Sequence, residues 1–127
     1  MNLDEKIISA LKDLDYEEAT EIQKKAIPIA LKRRDILAAA QSGTGKTAAF
    51  LLPILAELLE TKQTKTILRT LILVPTRELA SQISKAVEDF SKYMDISSLA
   101  MVGGVSTKDQ EKKIAKGIDI LVATSGR

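Results

Sequence analysis

Apolar positions in the first third of the chain recur at helical spacing. Leu3, Ile7, Ile8, Leu11 and Leu14 share one face with charged residues between them, which predicts an amphipathic helix over residues 3–13. Thr20-Glu21-Ile22-Gln23 has the form of a capping box and opens a second helix that runs to Lys32. Pro28 inside that helix implies a kink or a lost backbone bond. From Asp35 the pattern changes. Ile36-Leu37-Ala38-Ala39-Ala40 is a short apolar run, read as a strand, that stops at a glycine-rich turn. Helical spacing returns from Gly45 to Glu60, interrupted by Pro53, and the polar residues 61–69 form a loop. Thr70 to Val74 reads as a strand closed by Pro75, followed by a helix over residues 76–93. A strand over residues 98–102 ends at Gly103-Gly104, and Ser106, with Asp109 three residues on, caps the next helix. Ile118 to Ala123 is a last apolar strand, ending at Thr124-Ser125-Gly126-Arg127.

Two helices are thus followed by alternating strands and helices. Strands that are apolar on both faces and separated by helices argue for an α/β fold, a parallel sheet with helices on both faces. Ligands in such sheets bind beyond the carboxyl ends of the strands. Ala40-Gln41, Pro75-Thr76, Gly103-Gly104 and Thr124 to Arg127 all fall at predicted strand ends.

Composition narrows the chemistry. The 127 residues amount to one domain, 45% apolar and 28% charged, which is a globular rather than a disordered profile. The net charge of +2 provides no global basic field, so any nucleic-acid binding rests on local positions. Cysteine and histidine are both absent. Disulfides, thiolate or imidazole metal sites, cysteine nucleophiles and Ser-His-Asp triads are therefore excluded from this chain. No apolar run is long enough for a membrane span and the N-terminus lacks a signal-peptide core, so a cytoplasmic location and no membrane partner are expected. The aromatics are Tyr16, Phe50, Phe90 and Tyr93, too few for a platform of stacked bases.

Ala40-Gln41-Ser42-Gly43-Thr44-Gly45-Lys46-Thr47 lies between a predicted strand and a predicted helix, the context of a P-loop. Gly43 and Gly45 let successive amides turn inward around an anion, and the helix start adds free N–H groups and the positive end of its dipole. Lys46 supplies a point charge for the β- and γ-phosphates, and the Thr47 hydroxyl is placed to coordinate Mg²⁺. The usual first glycine is Ala40. The motif points to a nucleoside triphosphate with Mg²⁺, without choosing the base.

Several motifs together resemble the DEAD-box RNA helicases of superfamily 2. Ala40 to Thr47 is similar to that family's motif I, and Pro75-Thr76-Arg77-Glu78-Leu79-Ala80 to motif Ia. Gly103-Gly104 stands where the family has paired glycines, and Thr124-Ser125-Gly126-Arg127 resembles motif Ib with Ser125 in place of Pro. Residues 15–23 resemble the Q motif, with Asp15, Tyr16 and Ala19 at positions usually occupied by Gly, Phe and Pro. The resemblance implies a RecA-like P-loop NTPase lobe, with residues 1–34 a Q-motif helical region and residues 35–127 the partial lobe. It implies ATP and Mg²⁺ as cofactors and RNA, held by its backbone, as partner.

By the same resemblance, Thr20, Gln23, Gln41, Ser42, Gly43, Thr44, Gly45, Lys46, Thr47 and Ala48 would bind ATP. Lys46 and Thr47 would be the catalytic positions, and Thr47 the metal ligand. Gln23 would choose adenine, because an amide donates and accepts at once. Pro75, Thr76, Arg77, Gly104, Thr124 and Arg127 would contact RNA. Plainer readings stand beside these: a capping box for Thr20 and Gln23, a helix cap for Thr76, surface ion pairs for the arginines and a turn for the glycines. The sequence Asp-Glu-Ala-Asp, which names the family, does not occur. The expectation is an N-terminal part of the first helicase lobe, inactive alone, whose incomplete sheet favours self-association. Two alternatives are a P-loop NTPase acting on DNA or protein, and a non-catalytic nucleotide-binding module.

Overall fold

The computed structural model describes residues 3–41, 43, 45–61, 68–103, 107–115 and 117–125. The chain divides into two compact units, one of residues 1–62 and 89–94 and one of residues 63–88 and 95–127.

The first unit is helical. Helix α1 (Glu5–Asp13) starts at Asp4, whose carboxylate accepts from the Lys6 N–H at 2.9 Å, and it buries Ile7 and Ala10. It ends in a Schellman motif: the Tyr16 N–H donates to Leu11 O at 2.9 Å and the Asp15 N–H to Lys12 O at 3.1 Å. That motif places Asp15 at φ 60°, in the left-handed region. The family's usual glycine at this position is therefore explained by backbone geometry. Asp15→Gly is expected to raise stability by about 0.5–1 kcal/mol, read as a higher midpoint in urea unfolding.

Helix α2 (Glu21–Leu31) is capped by Thr20 and runs through Pro28 without a break. It packs against α3 (Lys46–Glu60), which buries Leu51, Leu52, Leu55 and Leu58. Ile7, Ile27, Leu51 and Leu55 are sealed from solvent and form the centre of this unit's core. The segment 89–94 joins the same unit through side chains. The Phe90 ring lies 5.7 Å from that of Tyr16, and Lys92 Nζ sits 2.9 Å from Asp13 Oδ2, which also accepts from the Tyr93 hydroxyl. These two donors, the Tyr93 hydroxyl first, hold the Asp13 carboxyl below its ordinary range. What they add to stability is present at neutral pH and disappears as acid protonates Asp13.

The apolar run at 36–40, expected as a strand, forms none. A short apolar run becomes a strand only where a neighbouring backbone completes its hydrogen bonds. Among the described residues no strand pairs with this segment, and Leu37 is fully exposed.

The second unit is a parallel sheet in the order β1-β3-β2, with β1 (Thr70–Val74), β2 (Ser98–Met101) and β3 (Ile120–Thr124). Val74 is level with Thr124, and Met101 with Ala123, so the carboxyl ends of all three strands align along one edge. Helices α4 (Arg77–Phe90) and α5 (Thr107–Ala115) follow β1 and β2; the division between units falls within α4. Ile72, Val74, Ile120 and Val122 are buried on one face of the sheet. On the other, Leu121, Ala123, Met101 and Ile118 cluster with Leu99 and with Ile114 of α5. Leu71 and Leu73 share that second face by register yet remain 54% and 64% exposed, because α5 packs on β2 and not on β1.

At the opposite ends of these strands Asp119 acts as a clasp. Its backbone carbonyl accepts from Arg69 and Thr70, and its carboxylate accepts from the Ser97 N–H at 3.1 Å. Arg69 Nη1 lies 3.5 Å from the same carboxylate. One residue thereby fixes where β1, β2 and β3 all begin. No helix among the described residues is long and apolar enough to cross a membrane.

Candidate functional site

The first unit carries the glycine loop and the capped start of α2. Gly43 and Gly45 both have positive φ, 79° and 86°, and Gly45 is the N-cap of α3. This is the conformation that turns amides inward, and it leads directly into a helix N-terminus. Lys46 is the first helical residue, Thr47 the second, and Ala48 is buried beneath them. Lys46 is exposed, and its Nζ donates to Ala40 O at 2.5 Å, across the mouth of the loop. Gln41 is exposed. Ser42 and Thr44 lie outside the described residues.

Gln23 connects the two parts. Its Oε1 accepts from the Thr20 N–H at 3.0 Å, completing the capping box, and its Nε2 donates to Gly45 O at 3.2 Å. The side chain is buried. Gly45 is held so closely that an added Cβ would overlap Gln23 Nε2 and lie 2.8 Å from Thr20 Oγ1. The absence of a side chain at this position is thus required twice, by φ and by contact. An amide has two donor hydrogens and two acceptor lone pairs, so these bonds leave Gln23 one of each. The capping role and a role toward a base are compatible.

The second unit carries the remaining candidates on its aligned strand ends. Pro75 and Thr76 follow β1 directly, and Thr76 Oγ1 accepts from the Leu79 N–H at 3.2 Å, so Thr76 caps α4. Arg77, the first residue of α4, is exposed. Thr124 ends the central strand β3 and is half-buried. The register brings Thr124 level with Val74, hence next to the chain entering Pro75 and Thr76. Gly104 and Arg127 lie outside the described residues. Among the described residues no group of three or more histidines, cysteines, aspartates or glutamates could hold a metal ion.

Sequence reasoning named Gln23 but not its partner Gly45, and it missed Gln110. The bond from Gln23 to Gly45 spans 22 positions and has no local signature. Gln110, nearly sealed from solvent in α5, sits four residues before Ile114 on the face of a helix that is otherwise charged. That spacing was the available signal.

A loop of this conformation opening a helix is the arrangement of a phosphate-binding loop, and the other unit is a parallel α/β sheet. Comparison with known proteins makes this specific. The DEAD/DEAH box helicase family profile matches residues 20–127. The chain belongs to that family. It is 45% identical over 127 residues to the probable ATP-dependent RNA helicase ddx27 of Dictyostelium discoideum, covering all of this chain and 16% of that protein. It is likewise 45% identical to the ATP-dependent RNA helicase drs1 of Schizosaccharomyces pombe, again over the whole chain and 17% of the relative. Among solved structures it resembles a hypothetical ATP-dependent RNA helicase from Sulfolobus tokodaii, with a TM-score of 0.85 and 36% identity. That match covers 98% of this chain and 35% of the other. The chain thus spans about a sixth of the length of these two curated relatives.

Proposed function

We propose that this chain is the nucleotide-binding part of the first lobe of an ATP-dependent RNA helicase. The observation that carries the reading is the loop at residues 40–47: two glycines with positive φ, a helix that begins at Lys46, and Gln23 bound to its last glycine. A phosphate chain fits this donor set. The amides around Gly43 and Gly45 and the first turn of α3 would hold the oxygens, and the Lys46 ammonium would exchange the Ala40 carbonyl for a charged acceptor. Thr47 would contribute its hydroxyl to Mg²⁺, the ion that neutralises charge between the terminal phosphates. The remaining donor and acceptor of Gln23 face the requirements of an adenine edge, which presents an amino group beside a ring nitrogen.

Thr76, Arg77 and Thr124 on the aligned strand ends would contact an RNA backbone. Hydroxyls, helix-start amides and an arginine suit phosphate and sugar and carry no base code, as an enzyme acting on any sequence requires. The described arginine and the neutral hydroxyls make a small electrostatic footprint, so salt dependence is expected to be shallow, with a log–log slope of about −0.7 on single-stranded RNA. ATP turnover by these 127 residues alone is not expected, because the chain has no Asp-Glu-Ala-Asp carboxylates to complete the metal site.

Fluorescence anisotropy with single-stranded RNA and DNA oligonucleotides of one sequence tests the partner. Saturable binding that favours RNA, weakly salt-dependent, is the expected result. Equal binding of DNA would move the reading to a P-loop NTPase acting on another substrate, and no binding of either would leave a nucleotide-binding module.

A further inference from the structure

Asp13 is the last residue of α1, so its carboxylate sits where the helix dipole is already negative. The helix itself gains nothing from that charge. Its partners lie far along the chain. Lys92 Nζ approaches Asp13 Oδ2 to 2.9 Å, and the Tyr93 hydroxyl donates to the same oxygen. Three residues further on, the Tyr16 ring lies 5.7 Å from that of Phe90, with 43° between their planes. Tyr16 is 51% exposed, whereas Phe90 is buried and gives it a fixed surface to rest on. The segment 90–93 thus holds the end of α1 and the start of the loop after it. That loop, residues 14–20, leads to the candidate nucleotide site. Its front is closed by the bonds from Asp15 and Tyr16 back to α1, and at its far end the Thr20 N–H donates to Gln23 Oε1 at 3.0 Å. Between them Glu17 and Glu18 are exposed and take part in no backbone hydrogen bond among the described residues. A stretch without bonds of its own takes its course from where its ends are held.

We propose that Phe90, Lys92 and Tyr93 brace the loop before α2, and that Asp13 and Tyr16, which they hold, are positioning residues for the amide of Gln23. This rests on the reading that Gln23 faces an adenine edge. None of the five touches the nucleotide. They act through the Thr20 N–H, the donor that orients the Oε1 end of Gln23. The consequence is a selective one. Loss of the brace frees the loop, lets Thr20 leave Gln23 and weakens the part of ATP binding that comes from the base. Binding of the phosphates, which uses Gly43, Gly45 and the start of α3, is unaffected.

The test uses the 127-residue chain with Asp13→Ala and, separately, Tyr93→Phe, both at exposed positions where the fold survives the change. Three quantities are compared: affinity for Mg-ATP, affinity for Mg-tripolyphosphate, which has the phosphate chain without the base, and residue-resolved amide hydrogen exchange. Mg-ATP affinity is expected to fall by about threefold or more in Asp13→Ala, and by less in Tyr93→Phe, with tripolyphosphate affinity constant. The Thr20 amide is expected to exchange faster by about fivefold or more, with the amides of α3 unaltered. Asp13→Asn, which still accepts from the Tyr93 hydroxyl, is expected to fall between Asp13→Ala and the wild type. Equal weakening of both ligands would reveal a general structural role and overturn the inference. Variants indistinguishable from a wild type that prefers ATP to tripolyphosphate would overturn it too, and leave the adenine reading standing. A wild type that binds the two ligands alike, with Thr20 exchange still raised by Asp13→Ala, would instead sink the adenine reading of Gln23 and support the brace.

Discussion

Gly45→Ala is expected to weaken ATP binding by about tenfold or more, equivalent to about 1.4 kcal/mol, and to destabilise the chain as well. Two costs coincide. At φ 86° a side chain adds about 1–2 kcal/mol of backbone strain. The new Cβ also drives into Gln23 Nε2 and Thr20 Oγ1, so the capping box that starts α2 and the turn that starts α3 cannot both keep their places. Gly43→Ala is the internal control. Gly43 has φ 79°, nearly the same backbone cost, but an added Cβ would meet nothing within 4 Å. Titration of both variants with a fluorescent ATP analogue, and urea unfolding of each, separates the two costs. The close approach of loop and helix start is refuted if Gly45→Ala is no less stable than Gly43→Ala.

The second large effect lies in the core under the loop. Leu55 of α3 is sealed from solvent in the unit that also contains Ile7 and Ile27. Leu55→Ala removes that packing and leaves a cavity, and is expected to cost about 2–5 kcal/mol. Against a total stability of about 5–15 kcal/mol for a folded domain, this brings the chain close to unfolding at physiological temperature. Ile29, 43% exposed on the neighbouring helix, is the comparison: Ile29→Ala is expected to change the urea midpoint by a small fraction of that. Similar losses at both positions would mean that α3 is not the centre of this unit's packing.

Much of this arrangement was legible in the residues. Helical spacing in α1 and the cap at Thr20 act locally, within one or two turns, and a single sequence carries such signals in full. The same holds for β1 and β3, whose apolar runs are bounded by Pro75 and by the turn at Thr124. The strand expected at 36–40 was not legible as an unpaired segment, because a strand depends on a partner and an apolar run does not announce whether one is present. Asp15 illustrates a different limit. The chain shows a residue where the family has glycine, and only the backbone shows why: the Schellman motif demands a left-handed residue there. For the site, the P-loop motif identified Gly43, Gly45 and Lys46 by type and order. The dependence of Gly45 on Gln23 and the clasp at Asp119 are long-range interactions between residues of common types. Nothing in local pattern distinguishes them from solvated ones.

Isothermal titration of the 127-residue chain with Mg-ATP, beside Lys46→Ala, tests the central claim most directly. Lys46 is exposed at the head of α3 and donates to a carbonyl of its own loop, so its removal leaves the helices intact and takes one positive charge from the phosphates. The expected result is saturable, Mg²⁺-dependent binding by the wild-type chain that weakens about tenfold or more in Lys46→Ala, with unchanged unfolding behaviour. Binding that is equal in the two proteins, or absent from both, would contradict the account of residues 40–47 as a phosphate cradle.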